Sequence, residues 1–298
     1  MKVAAVLGPG LALLLGGVSP GFGQQASIIR VPEPPIPELA GASALRLDEA
    51  PVQGGLVRGR ARPGTRLTLD DRDVPVALDG TFILGFDRDA PAMMRVAEHF
   101  TGPGDNPLGA ITTLAVAPRA WRIERLDTLP RFPKPDPVMA ELRPAELGQI
   151  AAARARVTDA AGWRQRFVWP ATGRISGLFG AQRIYRGEPG AYQSGTDIAR
   201  PTGTPVVAPA DGVVILAADH PFTLEGHLLM LDHGHGLNSA FLHLSRIDVR
   251  VGDHVTQGQP IGAIGASGRA TGPHLHWSLR WRDARLDPML VAGPMPTG

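Results

Sequence analysis

From about residue 166 onward the chain is a succession of strand-length apolar runs, each closed by Gly, Asp or Pro. They read "GTPVVAPADGVVILAAD", "GHLLMLDHG", "NSAFLHLS", "DHVTQGQPIGAIGAS" and "PHLHWSLRW". Runs this short, bounded by turn-forming residues, suit β-strands and leave no room for helices of ordinary length. The 37 Gly and 29 Pro of the 298 residues extend the same constraint over the whole chain, because they favour tight turns over long helices. The expected class is therefore mainly β.

The N-terminal half divides by composition. Residues 1–23, "MKVAAVLGPGLALLLGGVSPGFG", carry one early lysine, an apolar core around Leu11–Leu15 and small residues at Gly21 and Gly23. That is the layout of a signal peptide, and it predicts export to the periplasm or cell envelope. Residues 24–42 are proline-rich and read as a linker. Short alternating runs over 43–117, with Asp79-Gly80 marking a hairpin between "VPVAL" and "TFILGF", predict a small immunoglobulin-like β-sandwich. Residues 118–165 form a connector. A proline-rich loop leads there into an alanine-rich helical stretch that Pro144 either starts or interrupts. The C-terminal β domain takes residues 166–292, and 293–298 are a tail.

Charge and residue usage exclude several functions. A net charge of +2, with no basic stripe interleaved with aromatics, argues against nucleic-acid binding. The absence of cysteine excludes disulfides, thiolate metal sites and a cysteine nucleophile. "VGDHVTQGQPIGAIGA" has the strand pattern of lipoyl and biotinyl carriers, but the only lysines are Lys2 and Lys134, so no covalent prosthetic group can be carried there.

Chemistry gathers at the C-terminal end. Eight of the nine histidines follow residue 219. His274 and His276 flank Leu275, so on a strand both imidazoles share one face. His243 in "AFLHLS" alternates with Phe241 and Ser245, which would put these three on one face of another strand. Asp197 enters the apolar run "DIARPTGTPVVA" at a strand edge. A carboxylate and several imidazoles on neighbouring strands suit a metal-dependent hydrolase.

Residues 166–290, through "QSGTDIARPTGTPVVAPADGVVILA" and "GHLLMLDHGHGLNSAFLHLSRIDVRVGDHVTQGQPIGAIGASGRATGPHLHWSL", resemble the lysostaphin-type (LytM) zinc metallopeptidases. The resemblance implies an open, antiparallel, barrel-like sheet with a groove, zinc as cofactor, and peptidoglycan peptides as substrate. It also implies that Asp197 and His276 are metal ligands and that His243 and His274 assist catalysis. The position of the family's first ligand histidine is Gln193, whose amide is a poor zinc donor. Two readings follow. In one the domain hydrolyses weakly or not at all, and acts in wall binding or in regulating a second cell-wall hydrolase. In the other it is an active zinc metalloendopeptidase, with Gln193 as a weak ligand or His227 recruited. His220, His233 and His235 read as surface residues of loops and strand ends.

Overall fold

The computed structural model describes residues 43–102, 107–128 and 137–296; the expected signal peptide and proline-rich linker lie outside them. The N-terminal strands are β1 (Arg46–Leu47), β2 (Leu56–Arg60), β3 (Arg66–Leu69), β4 (Arg72–Val74), β5 (Thr81–Gly85), β6 (Met93–Thr101) and β7 (Pro107–Ala115). They form two antiparallel sheets, in the orders β1-β2-β5 and β4-β3-β6-β7. Buried Val57, Leu67, Phe82, Leu84 and Val96 belong to the core that these strands share.

The turn at Asp79-Gly80 forms, with Gly80 at φ +81°. The Gly80 N–H donates to Ala77 O at 2.8 Å, and a side chain at 80 would collide with the carbonyl of Ala61. The long hairpin expected around it does not form. Only the bridge Val76–Phe82 survives, while β4 joins β3 and β5 joins β2. Pro75 is the local reason, since it has no N–H to donate and ends β4 one residue earlier.

Next come β8 (Ile123–Leu126), α1 (Pro137–Arg154) and a single 3₁₀ turn at Gly162–Arg164. Pro144 neither starts nor stops α1; it lies inside the helix. An internal proline costs a helix about 3 kcal/mol, so tertiary contacts must hold this one. Ile150 and Ala153 pack on Ile215, Leu228 and Met230. Arg143 grips Glu225 with both terminal nitrogens, and Glu146 accepts from the N–H and hydroxyl of Thr223 at 2.6 Å each.

The remaining elements are β9 (Arg174–Gly177), β10 (Gln182–Tyr185), β11 (Glu188–Tyr192), β12 (Thr196–Ala199), β13 (Pro205–Val207), β14 (Gly212–Ala217), β15 (His227–Asp232), β16 (Leu237–Ile247), β17 (His254–Val255), β18 (Pro260–Ile264), β19 (His274–Trp281), β20 (Ala284–Leu286) and α2 (Pro288–Ala292). One large antiparallel sheet runs β17-β14-β15-β16-β19-β12-β9, with β13, β18 and β20 attached off that path. A small sheet joins β11-β10-β8. The mainly β class with a short connecting helix is what the composition predicts. Alternation sorts the large sheet into two faces. Trp277, Phe241, Leu275 and Ile198 turn to a core shared with Phe82 and Leu84 of the N-terminal sheets, and β5 packs on Trp281 and Leu286.

His233 corrects an expectation, because it is fully buried rather than a surface residue. Its Nδ1 donates to Asp211 O at 2.8 Å, so Nε2 accepts from the Ser239 hydroxyl at 2.7 Å. Burial pushes the imidazole down from 6.5 to about 4. The unfolded state therefore takes up this proton first as pH falls. The contribution of His233 is complete above pH 6.5 and is lost progressively towards pH 4, a cost of about 3 kcal/mol. Denaturant titrations at pH 7 and pH 4 should show this loss, and its slope should flatten in His233→Gln. An unchanged slope in that variant would remove His233 as the cause.

Candidate metal centre

The register of β12 against β19 sets Asp197 directly opposite His276 and Ala199 opposite His274. Directly opposed residues share a face, so the Asp197 carboxylate and the His276 ring emerge side by side. The intervening Ile198 and Leu275 are wholly buried on the other face. His276 Nδ1 lies 2.7 Å from Asp197 Oδ1.

Two further residues shape this corner. Gln193 follows β11, and its backbone is held at both ends, donating to Ala181 O and accepting from Gly180 N–H at 2.8 Å each. Its Nε2 stands 3.4 Å from His276 Nδ1, beside the Asp197 carboxylate. Gly177, at the end of β9, pairs with Asp197 on the opposite side from β19. A Cβ there would lie 2.2 Å from Asp197 Oδ2 and 2.8 Å from Gln193 Nε2, so only glycine leaves room for both side chains. The sequence signal for Gly177 was a lone glycine closing a strand run, which marks a close approach of other atoms.

His243 reaches the site by a route that simple alternation misses. Phe241 lies opposite Trp277 on the core face and Leu242 opposite His276, so a regular strand would turn His243 into the core. Instead the β15–β16 register slips, and His243 takes φ +64°. That bulge re-aims the ring, bringing its centroid 4.8 Å from that of His274 and 6.4 Å from that of His276. His243 therefore does not share the face of Phe241. The local backbone is fixed by Glu225, whose carbonyl accepts from His243 N–H at 2.8 Å.

The tautomers follow from the partners. His243 Nδ1 lies 2.9 Å from Ser267 O and His274 Nδ1 lies 2.8 Å from Gly272 O. A carbonyl can only accept, so each Nδ1 carries a proton and each neutral ring leaves Nε2 as a free acceptor. Burial lowers the His243 pKa, which keeps the ring neutral at neutral pH. An imidazole whose Nε2 is free can take up and return a proton. Burial pushes the Asp197 carboxyl upward, but its hydrogen bond with His276, the charges of His276 and His274, and the Gln193 amide outweigh that and hold it below its ordinary value.

Whether these residues suit a metal ion turns on donors and spacing. Two tetrahedral zinc ligands sit about 3.3 Å apart, given bonds near 2.0 Å. Asp197 and His276 have closed to hydrogen-bond distance at 2.7 Å. The third group, Gln193, is a neutral amide, a much poorer donor to zinc than an imidazole. Among the described residues no three His, Cys, Asp or Glu side chains are grouped to hold a metal ion, His227 included. His227 opens β15 opposite Leu244, its backbone N–H donating to Ser267 Oγ at 2.9 Å. The residues present do not fit a three-ligand zinc site.

Comparison with known proteins explains the arrangement. Residues 191–288, which span Gln193, Asp197, His243, His274 and His276, match the model of peptidase family M23. This segment is similar to peptidase family M23. The peptidoglycan DD-endopeptidase ShyA of Vibrio cholerae is 39% identical over 132 residues, covering 44% of this chain and 30% of that protein. The cell division protein DipM of Caulobacter vibrioides is 32% identical over 149 residues, covering 48% of this chain and 24% of that protein. The chain thus spans less than a third of the length of these curated relatives. A crystal structure from Pseudomonas aeruginosa, assigned to peptidase M23, covers 83% of this chain and 96% of its own, with 27% identity and a TM-score of 0.61. The likeness to that structure therefore takes in the N-terminal sheets as well as the M23 segment.

Proposed function

We propose that this is an exported cell-envelope protein whose M23 domain binds peptidoglycan peptides, hydrolyses them weakly or not at all, and acts in wall binding or in regulating other wall hydrolases. The observation that carries this reading is Gln193. Its amide stands beside Asp197 and His276, where the lysostaphin-type pattern has its first ligand histidine. The substrate class is supported by relatives named peptidoglycan DD-endopeptidases. A non-hydrolytic role is in keeping with a relative named for cell division instead of peptidase activity. Export rests on the leader-like composition of residues 1–23.

A second reading, slow hydrolysis, is favoured by one feature: His243 and His274 keep the positions and free Nε2 atoms that proton transfer needs. Incubating the purified chain with isolated peptidoglycan sacculi separates the two. Under the first reading the protein co-sediments with sacculi, releases only trace soluble peptide, and is indifferent to chelator. Chelator-sensitive solubilisation would establish the second.

A further inference from the structure

A cavity of about 210 Å³ adjoins His276, between α1 and the face of the large sheet that carries the site. Its charge is lopsided. The β19–β20 register sets Arg280 directly opposite Arg285, and like charges so placed on antiparallel strands repel. Arg154, in the last turn of α1, lines the same cavity. Burial of the guanidinium, then the like charges of Arg280 and Arg285, lowers the Arg154 pKa to about 10, although the residue as a whole remains solvent-accessible.

Little in the protein neutralises this group. Arg280 donates from Nε to Arg282 O at 2.9 Å and meets the exposed carboxylate of Asp283 at 3.6 Å. Arg285 lies over the Tyr192 ring at 5.3 Å, while nearby Asp87 accepts from its backbone N–H. Among the described residues no carboxylate lies within ion-pair distance of Arg154. Arg143, on the same wall, is by contrast matched by Glu225 and Glu146. The hydroxyl residues Ser194 and Ser278 complete the lining. Ser194 adjoins Gln193 in sequence, and Ser278 shares the strand face of His276. The cationic cavity therefore begins where the Asp197–His276 corner ends.

We propose that Arg154, Arg280 and Arg285, with the hydroxyls of Ser194 and Ser278, form a carboxylate-binding subsite for a ligand lying beside His276. Guanidinium groups bind planar carboxylates through paired N–H donors, and a bound carboxylate would relieve the Arg280–Arg285 repulsion. One of the three arginines comes from the connector, so the grip on the ligand belongs to α1 and the M23 domain jointly. That the carboxylate is carried by a peptidoglycan peptide rests on the function proposed above.

Two measurements on the full chain test this and keep the two claims apart. In the first, the arginine Nε–Hε resonances are followed by NMR during separate titrations with glutarate and with inorganic phosphate. Saturable shifts of Arg154 and Arg285 with glutarate, lost at the cavity in Arg154→Gln, are expected. No shift, or a shift with phosphate alone, overturns the subsite. In the second, co-sedimentation compares intact sacculi with sacculi whose carboxylates have been converted to amides. Arg154→Gln should weaken binding to intact sacculi about tenfold and leave binding to amidated sacculi unchanged. Equal losses on both, or no loss on either, contradict the subsite. If glutarate shifts the arginines but the wild type ignores sacculi, the subsite stands and the peptidoglycan reading fails.

Discussion

A Gln193→His variant should bind zinc roughly a thousandfold more tightly than the wild type, because an imidazole replaces a weak amide donor. The backbone at 193 is already tied to Ala181 and Gly180, so the new ring starts from a fixed anchor. Gly177 leaves the space beside Asp197 open. The change also removes the amide that now stands beside the Asp197–His276 pair, which can then separate from 2.7 Å. Competition against a chromophoric chelator reports the affinity directly. With His243 and His274 already in place, sacculus hydrolysis should rise alongside it. An affinity equal to that of wild type would mean that Gln193 is not what limits metal binding.

Replacing Trp277 with alanine is expected to cost about 3–5 kcal/mol, the range for deleting a large buried aromatic. The ring is wholly buried, sits opposite both Phe241 and Thr196, and meets Trp169 edge-on at 5.8 Å. Its Nε1 donates to Ser239 Oγ at 3.4 Å, the same hydroxyl that holds His233. The cavity would open directly behind the strands carrying Asp197 and His276, so the His276 ring resonances should move as well. Urea unfolding measures the first effect and NMR the second. A loss below about 1 kcal/mol would show that the core collapses around the gap.

The mainly β class was legible in the sequence because strand patterning is local, whereas the pairing of Asp197 with His276, distant in the chain, was implied only by the resemblance to the lysostaphin-type family. Strand alternation is a two-residue rule, and it placed His274 and His276 on one face correctly. What escaped was set by departures from that rule or by distant partners. His243 reaches the groove only through a bulge at positive φ, where alternation with Phe241 pointed the other way. His233 looked like a loop residue beside Gly234, yet Asp211 and Ser239, remote from it or across a turn, satisfy both ring nitrogens and permit its burial. Pro144 read as a helix boundary, because the contacts that hold α1 through it come from Glu225, Thr223 and the β14–β15 surface. The Arg280–Arg285 opposition needed the β19–β20 register, which no composition reveals.

We propose that Gln193 leaves this domain without a competent zinc site. Metal analysis of the wild-type chain, equilibrated with micromolar zinc and then freed of loosely bound ions, tests it most directly. Wild type should retain far less than one zinc per chain, with Gln193→His reaching one under the same treatment. One zinc per wild-type chain, whose removal by chelator abolishes cleavage of sacculi, would contradict it.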